Sequence, residues 1–203
     1  MKLSTGGRRL GATDAAKLLG VSRYGDALDV YRRLVEGRTL KPNKQMQRGT
    51  REEPRVLRMY QEATGAELQQ HVMPLICEHP EHHWATSSPD AVTTDGTLVE
   101  LKTASVWAKG WADGPPVDYV LQVAWSLWVT GLERGHLFVA LGSDRDGGTR
   151  FDVERTALYR FTRDAELEAE FARVGHEFWT RHVVPCVPPA VNGSTTAAQE
   201  AAP

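Results

Sequence analysis

Residues 87–103 read SSPDAVTTDGTLVELKT, and the rest of the architecture can be worked out from this stretch. At its centre the dipeptide Asp95-Gly96 separates two short runs of β-type residues, which is a strong signal for a β-hairpin. A three-residue loop at 94–96 needs a left-handed residue at its end, and Gly96 meets that need. This loop length predicts that Asp90 lies opposite Glu100, whereas a two-residue loop would pair Asp90 with Leu101.

The predicted hairpin brings ionisable side chains to one patch of sheet. Glu100 and Lys102 are two residues apart on one strand and therefore share a face. With Asp90 opposite, two carboxylates lie close together and repel unless a cation lies between them. Mg²⁺ with oxygen ligands meets that need, and a neighbouring lysine can stabilise charge on a phosphoryl oxygen. The pattern therefore favours metal-assisted phosphodiester hydrolysis, although a bare Glu-x-Lys alone would indicate a surface ion pair.

The remaining sequence predicts a helical first third, a strand-rich middle and a helical end. Helices are predicted at 14–19, 27–35, 45–64, 117–130 and 165–182, and strands at 68–76, 90–93, 97–103, 135–141 and 149–156. Residues 77–83 are predicted to form a loop. We expect a single α/β domain over residues 1–190, followed by a disordered tail at 191–203 because that segment is small and polar.

The composition excludes several classes of protein. Hydrophobic residues make up 41% and charged residues 25% of the 203 residues, values typical of a globular protein and not of a disordered or fibrous chain. No apolar run approaches the ~20 residues that span a bilayer. The first residues lack the apolar core of a secretory signal. Two cysteines provide no disulfide framework, so we expect a cytoplasmic protein.

The net charge of −2 conceals an asymmetry along the chain. Residues 1–60 carry an excess of eight positive charges, and the remaining residues carry an excess of ten negative charges. This distribution favours one face that meets nucleic-acid phosphates, with solvated helix faces as the simpler alternative.

Four blocks of sequence resemble a known family. They are GATDAA at 11–16, RGTREEP at 48–54, SPD at 88–90 and LQVAWSLWVTG at 121–131, and the likeness extends over about residues 8–185. Together with Glu100-Leu-Lys102, these blocks resemble the YqaJ or lambda-exonuclease type of phage recombination nuclease. That type belongs to the PD-(D/E)XK restriction-endonuclease-like superfamily. The resemblance implies an α/β fold with a restriction-endonuclease-like core, a mixed central β-sheet flanked by helices.

The resemblance also implies roles for individual residues. Metal ligands would be Asp90, Glu100, the backbone carbonyl of Leu101 and Glu53. The catalytic set would be Glu53, Asp90, Glu100, Lys102 and Gln122. Glu53 is preferred to Glu52 because the family places its acidic residue four positions after a glycine and directly before a proline. Two departures stand out: Ala91 replaces a glycine, and Ala124 replaces a second glutamine.

Residues that contact DNA form a second implied set. By resemblance, Thr13, Ser88, Arg8 and Arg9 lie near positions that bind a terminal phosphate. The basic N-terminal quarter adds Arg48 and Arg51. Lys109 lies in a glycine-rich stretch with Trp107 and Trp111, which are candidates for a wedge at the DNA end, whereas Trp125 and Trp128 have the spacing of core residues.

The function implied is a Mg²⁺-dependent exonuclease, with Mn²⁺ as a substitute, that resects linear duplex DNA from its 5′ ends. It would hand the exposed 3′ strand to a single-strand annealing protein, and relatives form homo-oligomeric rings. It would be a phage or prophage protein in the cytoplasm of a bacterial host. Alternatives are a non-catalytic DNA-end-binding protein or a related repair or CRISPR-adaptation nuclease; two cysteines cannot supply the four-cysteine iron–sulfur cluster that the latter often adds.

A zinc site is a further alternative that the sequence raises. Cys77, His79, His82 and His83 lie within seven residues of one another. Structural zinc sites usually have two spaced pairs of ligands, and this spacing does not fit that pattern. We therefore predict a loop without zinc.

Overall fold

The computed structural model describes residues 2–3, 8–39, 41–69, 76–108, 111 and 113–190. Its helices are α1 (Ala15–Leu18, preceded by a 3-10 turn at Ala12–Asp14), α2 (Ala27–Leu34), α3 (Lys44–Thr64), α4 (Val117–Thr130) and α5 (Ala165–Phe178, followed by a π-helical turn at Trp179–Val183). Its strands are β1 (Lys2–Leu3), β2 (Cys77–Glu78), β3 (Thr86–Ser87), β4 (Ala91–Val92), β5 (Thr97–Ser105), β6 (Arg134–Arg145) and β7 (Arg150–Thr162). The predicted tail at 191–203 and Lys109 lie outside the described residues.

The larger sheet of the described chain has the order β4-β5-β6-β7. β4 and β5 are antiparallel, β5 and β6 are parallel, and β6 and β7 are antiparallel. The parallel step requires a crossover, and α4 lies on the connection between β5 and β6. A smaller antiparallel sheet has the order β1-β2-β3. The predicted mixed sheet flanked by helices is therefore confirmed.

Helices cover both faces of the larger sheet. On one face, Leu98 of β5 and Leu137 of β6 pack with Val123 of α4. On the other face, Val99 of β5 packs with Val56 of α3. The alternation along β5 sends even-numbered side chains towards α4 and odd-numbered ones towards α3. Glu100 and Lys102 consequently lie on the α4 face.

A second core, which is built mainly of helices, adjoins the sheet. Trp125 and Trp128 of α4 are buried there and pack edge-on, with ring centroids 4.9 Å apart. Phe171 of α5 contacts both indoles. The prediction that these two tryptophans belong to the core is confirmed.

Local sequence signals mark most helix ends correctly. Asp26 accepts hydrogen bonds from the amides of Leu28 and Asp29 and so begins α2. Gly65 and Gly131 adopt left-handed conformations directly after α3 and α4. No helix among the described residues is long and apolar enough to cross a membrane.

Four predicted elements differ from the structure. Residues 77–78 form β2 and not a loop, because Cys77 pairs with Ser87 of β3. β6 and β7 extend well beyond the predicted 135–141 and 149–156, since they pair with each other as far as Arg145 and Arg150. Of the strand predicted at 68–76, residues 70–75 lie outside the described chain, and Leu68 forms one bridge to Thr93.

The close approach of β6 and β7 at Gly142 gives a test of the fold. A Cβ atom at Gly142 would lie 2.0 Å from the backbone carbonyl oxygen of Asp152, at a register shift between the two strands. Backbone cannot move aside as a side-chain end can, so we expect Gly142→Ala to destabilise the protein by about 2 kcal/mol. Thermal unfolding should show a Tm lower by about 4–8 °C.

The matched control is Gly49→Ala in α3, where no atom beyond the adjacent helix backbone lies within 4 Å of the added Cβ. Alanine favours the helix over glycine, so this variant should be as stable as the wild type or more stable. An equal change in Tm for the two variants would contradict the close approach of β6 and β7 at Gly142.

Candidate active site

The hairpin that carries the site has the predicted register. Ala91 pairs with Val99 and Val92 with Leu98, so the same register sets Asp90 against Glu100. The loop is 94–96, and Gly96 at its end has a φ of 80°. The short loop therefore places Asp90 and Glu100 directly opposite each other, one on each of the two paired segments of the hairpin.

Glu100 is the centre of the site. Its side chain is buried, with 2% of the residue exposed. Its Oε1 atom accepts hydrogen bonds from the Lys102 ammonium and from Nε2 of Gln122, the latter at 2.5 Å. Gln122 comes from α4, so this contact fixes the crossover helix to the strand that carries the acid and the lysine.

Asp90 is fixed to the same strand through the backbone. Its Oδ2 atom accepts a hydrogen bond from the N–H of Leu101 at 2.6 Å. The N–H and C=O groups of one residue in an antiparallel strand point to the same side. The carbonyl of Leu101 is therefore directed towards the side of β5 on which Asp90 lies, as the predicted ligand set requires.

Burial and mutual repulsion raise the pKa values of the carboxyl groups. The pKa of Glu100 is raised to about 7 by burial and by the charges of Asp90 and Glu53, although Lys102 opposes this shift. Burial also raises the pKa of Asp90, again against the influence of Lys102. A cluster of acids with raised pKa values is typical of a site that binds a cation or moves a proton.

Lys102 remains a cation in this buried setting. Burial alone would lower the pKa of the ammonium, but the charges of Glu100, Asp90 and Glu53 outweigh it and raise the pKa. The ammonium also lies 5.4 Å from the ring centroid of Tyr119, a cation–π contact.

Glu53 lies near the site from the other layer, on α3. Burial is the main cause of the raised pKa of Glu53, and the charge of Asp90 raises it further. Its neighbour Glu52 instead pairs with Arg51 and Arg55, at 3.0 Å and 3.4 Å. Since Glu53 and not Glu52 interacts with Asp90 and Lys102, the arrangement supports the choice of Glu53.

The donor set of this site suits a hard divalent cation. Oδ1 of Asp90 and Oε2 of Glu100 have no hydrogen-bond partner within the described chain, and the Leu101 carbonyl points to the same side. Groups of three or more His, Cys, Asp or Glu residues arranged to hold a metal are absent from the described residues. Two carboxylates with a carbonyl nevertheless fit Mg²⁺, which is commonly held by one or two carboxylates with water and substrate phosphate.

Residues 5–133 match the family profile of the YqaJ-like viral recombinase domain. The chain belongs to this family. No curated protein sequence matches the chain significantly.

Solved structures share the fold of this YqaJ-family chain. LHK-Exo in complex with dAMP is 21% identical over 85% of this chain and 86% of its own, with a TM-score of 0.67. The alkaline exonuclease LHK-Exo from Laribacter hongkongensis is 22% identical, covers 85% and 88%, and has a TM-score of 0.64. A phage related exonuclease from Haemophilus somnus 129PT is 15% identical, covers 84% and 93%, and has a TM-score of 0.60.

The predicted phosphate-binding residues have different surroundings in this YqaJ-family fold. Leu10 forms a bridge to Ala85, so the segment that contains Arg9 runs beside the segment that leads to Ser88. Arg9 pairs with Glu78 at 3.7 Å, while its Nε atom is buried without a hydrogen bond. Thr13, Ser88 and Arg8 are exposed.

The two arginines of α3 are engaged within the protein. Arg48 is buried, donates to Asp144 at 2.8 Å and lies 4.7 Å from the centroid of the Phe151 ring. Arg51 donates to the carbonyl of Gly148 at 3.0 Å, although its side chain remains partly exposed. Arg48 is too buried to contact a DNA phosphate, so this prediction is wrong and Arg48 is not among the residues that we propose to bind DNA.

The two tryptophans predicted as candidates for a wedge, Trp107 and Trp111, differ in their exposure to solvent. Trp111 is buried and stacks on Tyr119 with a centroid distance of 5.5 Å, so it cannot act as a wedge. Trp107 is 82% exposed on a turn after β5.

The histidine cluster packs on aromatic side chains. His79 lies 4.5 Å from Trp128 between ring centroids, and its Nδ1 accepts from the amides of Glu81 and His82. Burial lowers the pKa of His79 to about 4. Within the described residues these side chains are not arranged as a group that could hold a metal ion.

Sequence reasoning missed Tyr119, which contacts both Lys102 and Trp111. The signal that could have found it is its position three residues before Gln122 on α4, since residues three apart share a helix face.

The raised pKa of Glu100 predicts how stability depends on pH. Between the ordinary glutamate pKa of about 4.3 and the raised pKa of about 7, the folded state holds a proton on Glu100 that the unfolded state has lost. The free energy of unfolding contributed by Glu100 therefore falls as pH rises through this range. In chelator, we expect the Tm of the wild type to decline over this range, and that of Glu100→Gln to decline less.

Thermal unfolding from pH 5 to 8 measures this difference. At pH 8 the Tm of Glu100→Gln should equal or exceed that of the wild type, by up to about 5 °C. Glu62→Gln, which changes an exposed carboxylate of α3, should follow the wild-type curve. A Tm for Glu100→Gln well below that of the wild type at pH 8 would show that charged Glu100 stabilises the fold.

Proposed function

We propose that the protein is a Mg²⁺-dependent DNA exonuclease that hydrolyses linear duplex DNA from its ends, in the 5′ to 3′ direction. The observation that carries this proposal is the convergence of Asp90, Glu100, Lys102 and Gln122 on one buried patch. Membership of the YqaJ family and the fold shared with alkaline exonucleases support it.

Mg²⁺ would be held by Asp90, Glu100 and the Leu101 carbonyl, with Glu53 nearby, and Mn²⁺ would substitute for it. When bound, the cation supplies an activated water and stabilises negative charge on the phosphoryl oxygens. The protein contributes a rigid ligand arrangement, because Leu101 orients Asp90 and Gln122 orients Glu100. Preorganised charge of this kind does not have to reorganise during the reaction.

Lys102 is proposed to act on the reacting phosphate. The ammonium is held as a cation by the surrounding carboxylates and is only partly exposed. A phosphoryl oxygen that gains negative charge in the transition state can accept a hydrogen bond from it. Glu53, with its raised pKa, is suited to position a water molecule and accept its proton.

The proposed biological setting follows the family. A 5′ to 3′ exonuclease exposes a 3′ single strand, which a single-strand annealing protein can pair with a complementary strand. We propose this partner, a ring of several copies of the chain, and a place in the cytoplasm of a bacterial host. The family of viral recombinase domains supports this setting.

Glu100→Gln tests the catalytic assignment. The substitution keeps the size and hydrogen bonding of the side chain but removes one negative charge from the site. We expect hydrolysis of end-labelled duplex in Mg²⁺ to fall at least ~100-fold, or about 2.7 kcal/mol of transition-state stabilisation, while DNA binding persists. A chelator should abolish the wild-type activity.

Glu52→Gln is the matched control on the adjacent helix. Glu52 pairs with Arg51 and Arg55 and makes no contact with Glu100, so the variant should retain the turnover of folded protein. Wild-type turnover by Glu100→Gln would remove the site assignment.

Dependence on DNA ends tests the mode of action, because the same core chemistry also occurs in endonucleases. Linear duplex should be degraded progressively in Mg²⁺, whereas covalently closed circular duplex should remain intact. Removal of the 5′ phosphate should slow digestion, since the hydroxyls of Thr13 and Ser88 and the guanidinium of Arg9 would lose their charged partner. Rapid cutting of the closed circle would contradict an exonuclease and leave the nuclease chemistry standing.

A further inference from the structure

Residues 21–25, in the loop between α1 and α2, are attached to the helix that carries Gln122. Ser22 donates to Asp118 at 2.5 Å, and Arg23 lies 3.7 Å from the same carboxylate. Asp118 is four residues before Gln122 on α4, so both lie on one face of that helix. This attachment gives the loop a defined place beside the active site.

Tyr24 is the aromatic side chain of this loop, and 55% of it is exposed. Its hydroxyl lies 3.4 Å from the hydroxyl of Tyr119, and the two rings have centroids 6.5 Å apart. The Lys102 ammonium lies 5.4 Å from the centroid of the same Tyr119 ring. The Tyr24 ring is therefore within about 12 Å of the proposed catalytic ammonium.

A cation accompanies this exposed ring. The guanidinium of Arg23 lies 5.0 Å from the centroid of Tyr24 and is about half exposed. An exposed aromatic ring next to an arginine is the combination that binds single-stranded nucleic acid, because the ring stacks on a base and the cation meets phosphate. An exposed tyrosine alone would not indicate a substrate contact, but Tyr24 contacts Tyr119, which in turn contacts Lys102.

We propose that Tyr24 stacks on a nucleobase of the DNA strand that enters the active site, within about three nucleotides of the scissile phosphate at ~3.4 Å per nucleotide. This inference rests on the proposed nuclease function and adds a residue that binds the substrate. Stacking is tolerant of sequence, so the contact would hold any base at that position and suit an enzyme that degrades DNA without sequence preference.

Three variants test the contact. We expect Tyr24→Ala to bind duplex DNA about tenfold more weakly, a loss of 1.4 kcal/mol that lies in the range for stacking on one base. Tyr24→Phe should bind like the wild type, because it keeps the ring and loses only the hydroxyl contact with Tyr119. Val21→Ala, at an exposed position in the same loop, is the control and should also bind like the wild type.

The measurement is fluorescence anisotropy with a labelled duplex, in the Glu100→Gln background and with chelator, so that cleavage does not consume the probe. Thermal unfolding of each variant checks that the fold is retained. In parallel, the duplex carries one abasic analogue at each of the first three positions of each strand in turn. At the stacked position, the missing base should weaken binding about tenfold when Tyr24 is present and have little effect in Tyr24→Ala.

The outcomes separate the two proposals. Equal binding by wild type and Tyr24→Ala, with DNA hydrolysis intact in the parent enzyme, overturns the stacking contact and leaves the nuclease function standing. Equal loss in Tyr24→Phe and Tyr24→Ala also overturns it, because the hydroxyl contact with Tyr119 would then account for the effect. A wild-type protein that neither binds nor cleaves DNA contradicts the proposed function itself, and the stacking contact with it.

Discussion

The three-residue loop of the β4–β5 hairpin is the constraint on which the site depends. The side-chain period of a strand is two, so a slip of one residue would turn Glu100 and Lys102 away from α4. The loop resists that slip through several contacts: Thr93 donates from its amide to the carbonyl of Thr97 at 2.9 Å, and both threonine hydroxyls donate to Asp95. Outside the hairpin, Arg134 of β6 donates to the carbonyl of Asp95 at 2.9 Å.

This fixed register brings the carboxyl groups of Asp90 and Glu100 and the ammonium of Lys102 together in a small, poorly solvated volume. Burial of charge is unfavourable unless partners compensate, and here the compensation is incomplete, since the pKa of Glu100 remains raised despite the ammonium beside it. A residue chosen for stability alone would be apolar at this position, as its neighbours Val99 and Leu101 are. The conflict between local environment and residue type is what marks this part of the sheet as functional.

Features governed by short-range chemistry could be predicted from the sequence. The Asp95-Gly96 turn, the Asp26 cap and the glycine that ends α4 each depend on a few adjacent residues, and each is confirmed. The pairing of Asp90 with Glu100 followed from loop length alone. The family resemblance implied that Gln122 lines the active site, and the structure adds its contact with Glu100.

Features that depend on distant residues could not be predicted in this way. β6 and β7 extend because of their mutual pairing, which the sequence of either strand alone does not show. The burial of Arg48 depends on Asp144 and Phe151, about a hundred positions away, and the position of Tyr24 depends on Tyr119. Charge counting fails for the same reason: cations of the basic N-terminal quarter pair with carboxylates from the rest of the chain, including Arg48 with Asp144 and Arg9 with Glu78. Its formal excess of positive charge therefore overstates the attraction that a DNA phosphate would experience, and the proposed binding of DNA relies on contacts close to the active site as well as on long-range attraction.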